Sequence, residues 1–169
     1  GGVCTSMKTI YQGALNVIAR FGPSVVWLLC LAGYVSLAQG ADDKPAVIEA
    51  KDFPNLQAAL DALPTAGGEL RLPPGTVEIT EPLRLERGDV RVIGAGTATN
   101  IVNKNEAGKP AWIISPSSAE LKKDAKARLW RVELQDLRIT GNAKSGNGIE
   151  AVHIDEIFLS GVSCSYHGA

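Results

Sequence analysis

From Gly68 onward, apolar and polar residues alternate in short runs, and a turn residue closes each run. Leu70 and Leu72 flank Arg71 before Pro73-Pro74-Gly75, and Val77 and Ile79 alternate before Pro82. Leu83 and Leu85 flank Arg84 before Gly88, and Val90 and Val92 flank Arg91 before Gly94-Ala95-Gly96. A period of two is the signature of a strand with one buried face, and no helical period separates these runs. The chain is thereby restricted to short strands joined by tight turns. Eighteen glycines, 9 prolines and only 5% aromatic residues fit that restriction.

The runs also recur. Gly68-Glu69-Leu70-Arg71-Leu72 matches Gly88-Asp89-Val90-Arg91-Val92 at an offset of 20 residues, and Val132–Gly141 matches Val152–Gly161 at the same offset. A period near 20 without helices predicts the coils of a β-solenoid, in which each coil buries its apolar face only by stacking on the next. Within the second repeat the apolar parity shifts between Leu134 and Leu137. This predicts a bend at Gln135-Asp136 and an equivalent one at Asp155-Glu156. Trp112-Ile113-Ile114 reads as one strand, Ser115–Arg128 as a polar loop or short inserted helix, and Trp130 as a shield at the base of the core.

Ahead of the strands, Leu56, Leu60 and Leu63 recur at i, i+4 and i+7, one face of a helix. Asn55 is placed to cap it, and Pro64 with Gly67-Gly68 to stop it. The helix, assigned to residues 52–66, is predicted to cap the solenoid. Residues 41–51 read as a linker.

The first forty residues read as an export signal. Lys8 and Arg20 precede the apolar stretch Val25–Ala38, which is shorter than a membrane span and ends in small residues. Cleavage is expected near Ala38 or Gly40, leaving a protein that is extracellular or periplasmic and not held at a membrane. Cys4 and Cys30 fall in the removed segment, so Cys164 would stand alone in the mature chain, with no disulfide framework. Charged residues make up 21% with a net charge of -1, which excludes the basic patch that nucleic-acid binding needs.

These motifs carry a resemblance. The helix Leu56-Gln57-Ala58-Ala59-Leu60, the turn and strand Gly67–Leu72, Pro73-Pro74-Gly75, and Val90-Arg91-Val92-Ile93-Gly94-Ala95-Gly96 resemble the start of the pectate-lyase-like superfamily. The segments Leu137–Asn142 and Gly148–Ala151 are similar to that family's later repeats. The aspartate-rich Gly-Asp-Gly segment common ahead of the family's capping helix is absent. The resemblance implies an all-β, right-handed parallel β-helix with a short N-terminal capping α-helix, residues 67–169 being its first coils. No polar cap follows the last coil, so a longer protein is expected.

The resemblance also implies a secreted carbohydrate-active protein. The leading expectation is a polysaccharide lyase or glycoside hydrolase acting on an acidic polysaccharide, with calcium as cofactor if it is a lyase. The alternative is a non-catalytic glycan-binding or adhesive surface solenoid, and a phage tailspike is disfavoured by the export signal. No residue is assigned to catalysis or to substrate binding, and none to a metal. Several side chains were weighed. Asp136 and Glu156, stacked by the repeat, could pair as carboxylates with Asp155 nearby, but a polar bend explains them as well. Glu150 and His153 point outward on strands, and His167 lies in a turn; Glu150 and His167 are the first choices for mutation. Arg71, stacked on Arg91, and Arg138 could neutralise a uronate, although outward arginines often only cover a sheet. Gly94-Ala95-Gly96 lacks the third glycine and the helix of a dinucleotide loop and reads as a turn.

Overall fold

The computed structural model of the chain describes residues 45–168. The segment assigned as an export signal, with Cys4 and Cys30, lies outside the described residues. The strands are β1 (Val47–Glu49), β2 (Gly68–Arg71), β3 (Gly75–Ile79), β4 (Leu83–Leu85) and β5 (Val90–Ile93), then β6 (Thr99–Asn103), β7 (Trp112–Ile114), β8 (Val132–Thr140), β9 (Ile149–Ala151) and β10 (Ile157–Ser165). Two short helices interrupt them, α1 (Leu56–Asp61) and α2 (Ser118–Lys123). Within the stretch read as a linker, β1 pairs with β2.

All the strand pairing is parallel. Seven strands form one sheet in the order β1-β2-β5-β8-β6-β3, with β10 also paired to β8, and β4-β7-β9 form a second sheet. The nine-residue β8 joins two ladders. Its first half lies on β5, its second half on β6, and β10 runs along both halves. The large sheet curls where β8 turns.

The curl is written in the side-chain parity. Val132 and Leu134 are fully buried before the turn, and Leu137 and Ile139 after it. Keeping both pairs inward requires one residue out of phase. Asp136 supplies it with a φ of +51°, in the left-handed region that Asp tolerates better than most side chains. On β10 the same place is taken by Gly161, with a φ of +62°, between the pairs Gln135↔Ser160 and Leu137↔Val162. The second bend is therefore at Gly161, five residues beyond the expected Asp155-Glu156.

The closed right-handed parallel β-helix expected from the sequence is not what forms. The large sheet curls into a half-barrel, and the three-stranded sheet hydrogen-bonds to none of its strands. There is no fixed repeat either. Partners lie 22 residues apart between Gly68 and Val90, 42 between Val90 and Val132, and 25 between Val132 and Ile157. Between β2 and β5 the apparent offset of 20 came from alternation itself. Any even shift keeps apolar residues on the buried face, so Leu70 lands on Val92 instead of Val90 without exposing a side chain.

Both sheets contribute to one buried cluster. Trp112, Ile114, Leu83 and Leu85 come from the smaller sheet, and Leu70, Val90, Val92, Leu134 and Ile139 from the larger. Each such side chain contributes ~1.5–3 kcal/mol on burial. Helix α1 covers part of this cluster with Leu56, Ala59 and Leu60. Its cap is Asn55, whose side chain accepts a 2.8 Å hydrogen bond from the Ala58 N–H. Leu63 is buried just past the helix, before Pro64 and Gly67 turn the chain into β2.

Candidate functional site

The residues weighed as candidates do not gather into one site. Glu156 lies beside Arg131 in the ladder, because Ile157 pairs with Val132. Asp136 instead faces Gly161, where a side chain would collide with its carboxylate. The stacked pair of Asp136 and Glu156 is therefore absent, and Asp155 sits 3.6 Å from Arg128 in an ion pair. Arg71 and Arg91 are not stacked: Arg71 pairs in register with Ile93, and Arg91 with Glu69. On the outer face Arg91 lies 3.1 Å from Glu133 and 3.7 Å from Glu69, and Arg71 lies 2.7 Å from Glu69. These two cations are neutralised by the sheet itself. Arg138 is exposed between Asn100 and Ser163.

Glu150 is exposed on β9 beside Ile113. His153 is no strand residue but a corner, with a φ of +56°, and its carbonyl accepts from the Leu129 N–H. His167 Nδ1 lies 3.0 Å from the Gly146 carbonyl. It ties the end of the described chain over the 141–148 loop, whose glycines leave room for it. Gly94-Ala95-Gly96 enters a single 3-10 turn followed by β6, as a turn should. Among the described residues no three His, Cys, Asp or Glu side chains come together as a metal site.

A different group of residues forms a groove of about 860 Å³. Its wall is the segment Arg128–Arg131, its far side Glu86–Asp89, and its end helix α2. The fold sets Trp130 outward here. Leu129 and Val132 are both buried, and the Trp130 carbonyl accepts a 2.8 Å hydrogen bond from the Asp89 N–H. Gly88 permits that contact, since a side chain there would strike the Trp130 backbone. Asp89 and Arg131, at φ +55° and +51°, turn the corner on either side. Trp130 is thus 49% exposed and lines the groove, instead of shielding the core as the sequence implied.

Four cations line the groove with Trp130. Arg131 donates from Nε to Asp89, and this bond, with Glu156 nearby, raises its pKa further. Arg128 is held by Asp155. Arg87 and Lys123 line the same groove and make no ion pair among the described residues. Of the carboxylates, Asp89 is held by Arg131, and Glu120 closes a capping box with Ser117 at the start of α2. Of the groove's carboxylates only Glu86 makes no ion pair or side-chain hydrogen bond among the described residues. The groove thus holds an exposed aromatic and two cations that make no ion pair among the described residues.

The Trp130 groove was not foreseen, because its parts come from three distant stretches of sequence. The one local sign was Arg128-Leu129-Trp130-Arg131, an aromatic between arginines at the end of a polar run.

No family model matches the chain, and no curated protein matches it. Among solved structures, the chain resembles ORF18 of Geobacillus virus E2, with a TM-score of 0.54 and 22% sequence identity. The match covers 69% of this chain and 27% of the viral chain. At this identity the likeness is one of fold alone.

Proposed function

We propose that this chain binds an acidic polysaccharide in the groove beside Trp130. The observation that carries the reading is the half-exposed Trp130 in a groove that Arg87 and Lys123 also line. Sugars present apolar C–H faces that stack on an aromatic ring, and their carboxylates or sulfates pair with cations. Binding is favoured over cleavage by the same groove. General acid–base hydrolysis needs two free carboxyl groups, and here Asp89 and Glu120 are engaged in structural bonds. The hydrolase reading therefore lacks a second free carboxylate at this groove, and the glycan-binding reading needs none. Export to the periplasm or the medium, the compartments where such polymers are met, is proposed from the first forty residues of the sequence alone.

Affinity electrophoresis tests this directly. Gels containing polygalacturonate, alginate, dextran or no polymer are run side by side, and the polymer solutions are followed for unsaturated product and reducing ends. The expected result is retardation in an acidic polymer, none in dextran, and no product. Equal mobility in every gel would contradict the binding reading, and appearance of either product would replace it with an enzyme.

A further inference from the structure

The groove does not end at Trp130. Asp89 and Arg131 also line a second, shallower depression of about 280 Å³, completed by Val90, Arg91, Glu133 and Phe158. The two hollows share those two residues. Phe158 is 55% exposed. It pairs in register with Glu133, which pairs with Arg91, so it belongs to the outward row of the sheet. The next residue, Leu159, also exposed, pairs with buried Leu134 and so belongs to the core row. Phe158 is therefore a surface aromatic by its place in the ladder.

We infer that Phe158 is a second stacking platform, so that the site reads a polysaccharide chain and not a single sugar. This rests on the glycan-binding reading. Phe158 pairs in register with Glu133, three residues past Trp130, and lines the second hollow where Trp130 lines the first. An extended oligomer lying along both hollows would meet both aromatics and pass Asp89 and Arg131, which line each. Arg91 and Glu133 at the second platform are already paired with each other. This end of the groove therefore supplies stacking with little net charge, and the first end supplies the free cations. The inference predicts that affinity rises with oligomer length until both platforms are spanned.

The test is calorimetric titration of the whole chain with oligogalacturonides from the disaccharide to the octasaccharide. The wild-type protein is expected to bind the longest oligomer about tenfold more tightly than the shortest. In Phe158→Ala that ratio falls roughly threefold or more, and Phe158→Trp restores it. Phe158 is exposed, so unchanged urea unfolding of both variants is the control for folding. Equal affinity at every length, or a ratio unmoved by Phe158→Ala, overturns the second platform and leaves the Trp130 groove standing. Failure of oligomers of every length to bind overturns the glycan-binding reading and this inference with it.

Discussion

Single residues hold the corners of this fold together. Asn105 is 7% exposed, and its side chain makes three hydrogen bonds to the main chain. It donates to the Thr80 carbonyl at 2.9 Å and accepts from the N–H groups of Ala107 at 2.8 Å and Lys109 at 3.0 Å. Asn142 then donates to the carbonyls of Asn103 and Asn105, tying two loops together. Asn105→Ala leaves these buried groups without partners and is expected to cost ~2–3 kcal/mol. The midpoint of urea unfolding reads this, and an unchanged midpoint would show that water replaces the side chain. Cys164 belongs to the same scale. Burial raises its thiol pKa although the residue is exposed, so less thiolate is present at neutral pH than in a free cysteine. Its reaction with a disulfide reagent at pH 8 is expected to be slower than that of a cysteine-containing peptide and to accelerate as pH rises through the raised pKa. A rate at or above the peptide's would mean that the thiol is not desolvated.

At the scale of elements, β4 illustrates how an edge is closed without another strand. Gln57 of α1 donates to the Arg84 carbonyl at 3.1 Å and accepts from the Arg84 N–H at 2.8 Å. One amide thereby pairs both backbone groups of an edge residue that would otherwise template another chain. Gln57→Ala is predicted to lower stability by ~1–2 kcal/mol and to promote self-association. Thermal unfolding with light scattering checks both, and a variant that stays monomeric with unchanged melting would remove the amide from this role.

The elements were legible in the sequence where chemistry is local. Asn55 as a cap, the strand Trp112–Ile114 and the parity shift at Asp136 all follow from neighbours within a few residues. Register was not legible. Alternation fixes which face a side chain takes but is blind to even shifts, so Arg71 was set on Arg91 when its partner is Ile93. The match of Gly141 with Gly161 misled for a related reason. Gly161 is a glycine because the chain bends beside Asp136 at positive φ, not because a repeat returns there. Once register was misplaced, the groove could not be found, since Asp89, Lys123 and Trp130 meet only through it.

Residues 45–168 form a curled parallel sheet closed over its core by a smaller sheet and a helix, and the full chain has nearly balanced charge. Its net charge of -1 gives no long-range pull on a polyanion, so binding must come from the local cations at the groove. Affinity for an acidic polymer should therefore fall with salt, but by less than for a basic-patch protein, because at the groove only Arg87 and Lys123 make no ion pair among the described residues. The Trp130 groove is the central claim, and calorimetric titration with an acidic octasaccharide, comparing wild type with Trp130→Ala, tests it most directly. The indole is half exposed, so its loss should leave folding intact while weakening binding about tenfold. Binding by Trp130→Ala equal to that of the wild type would place the glycan elsewhere or nowhere on this chain.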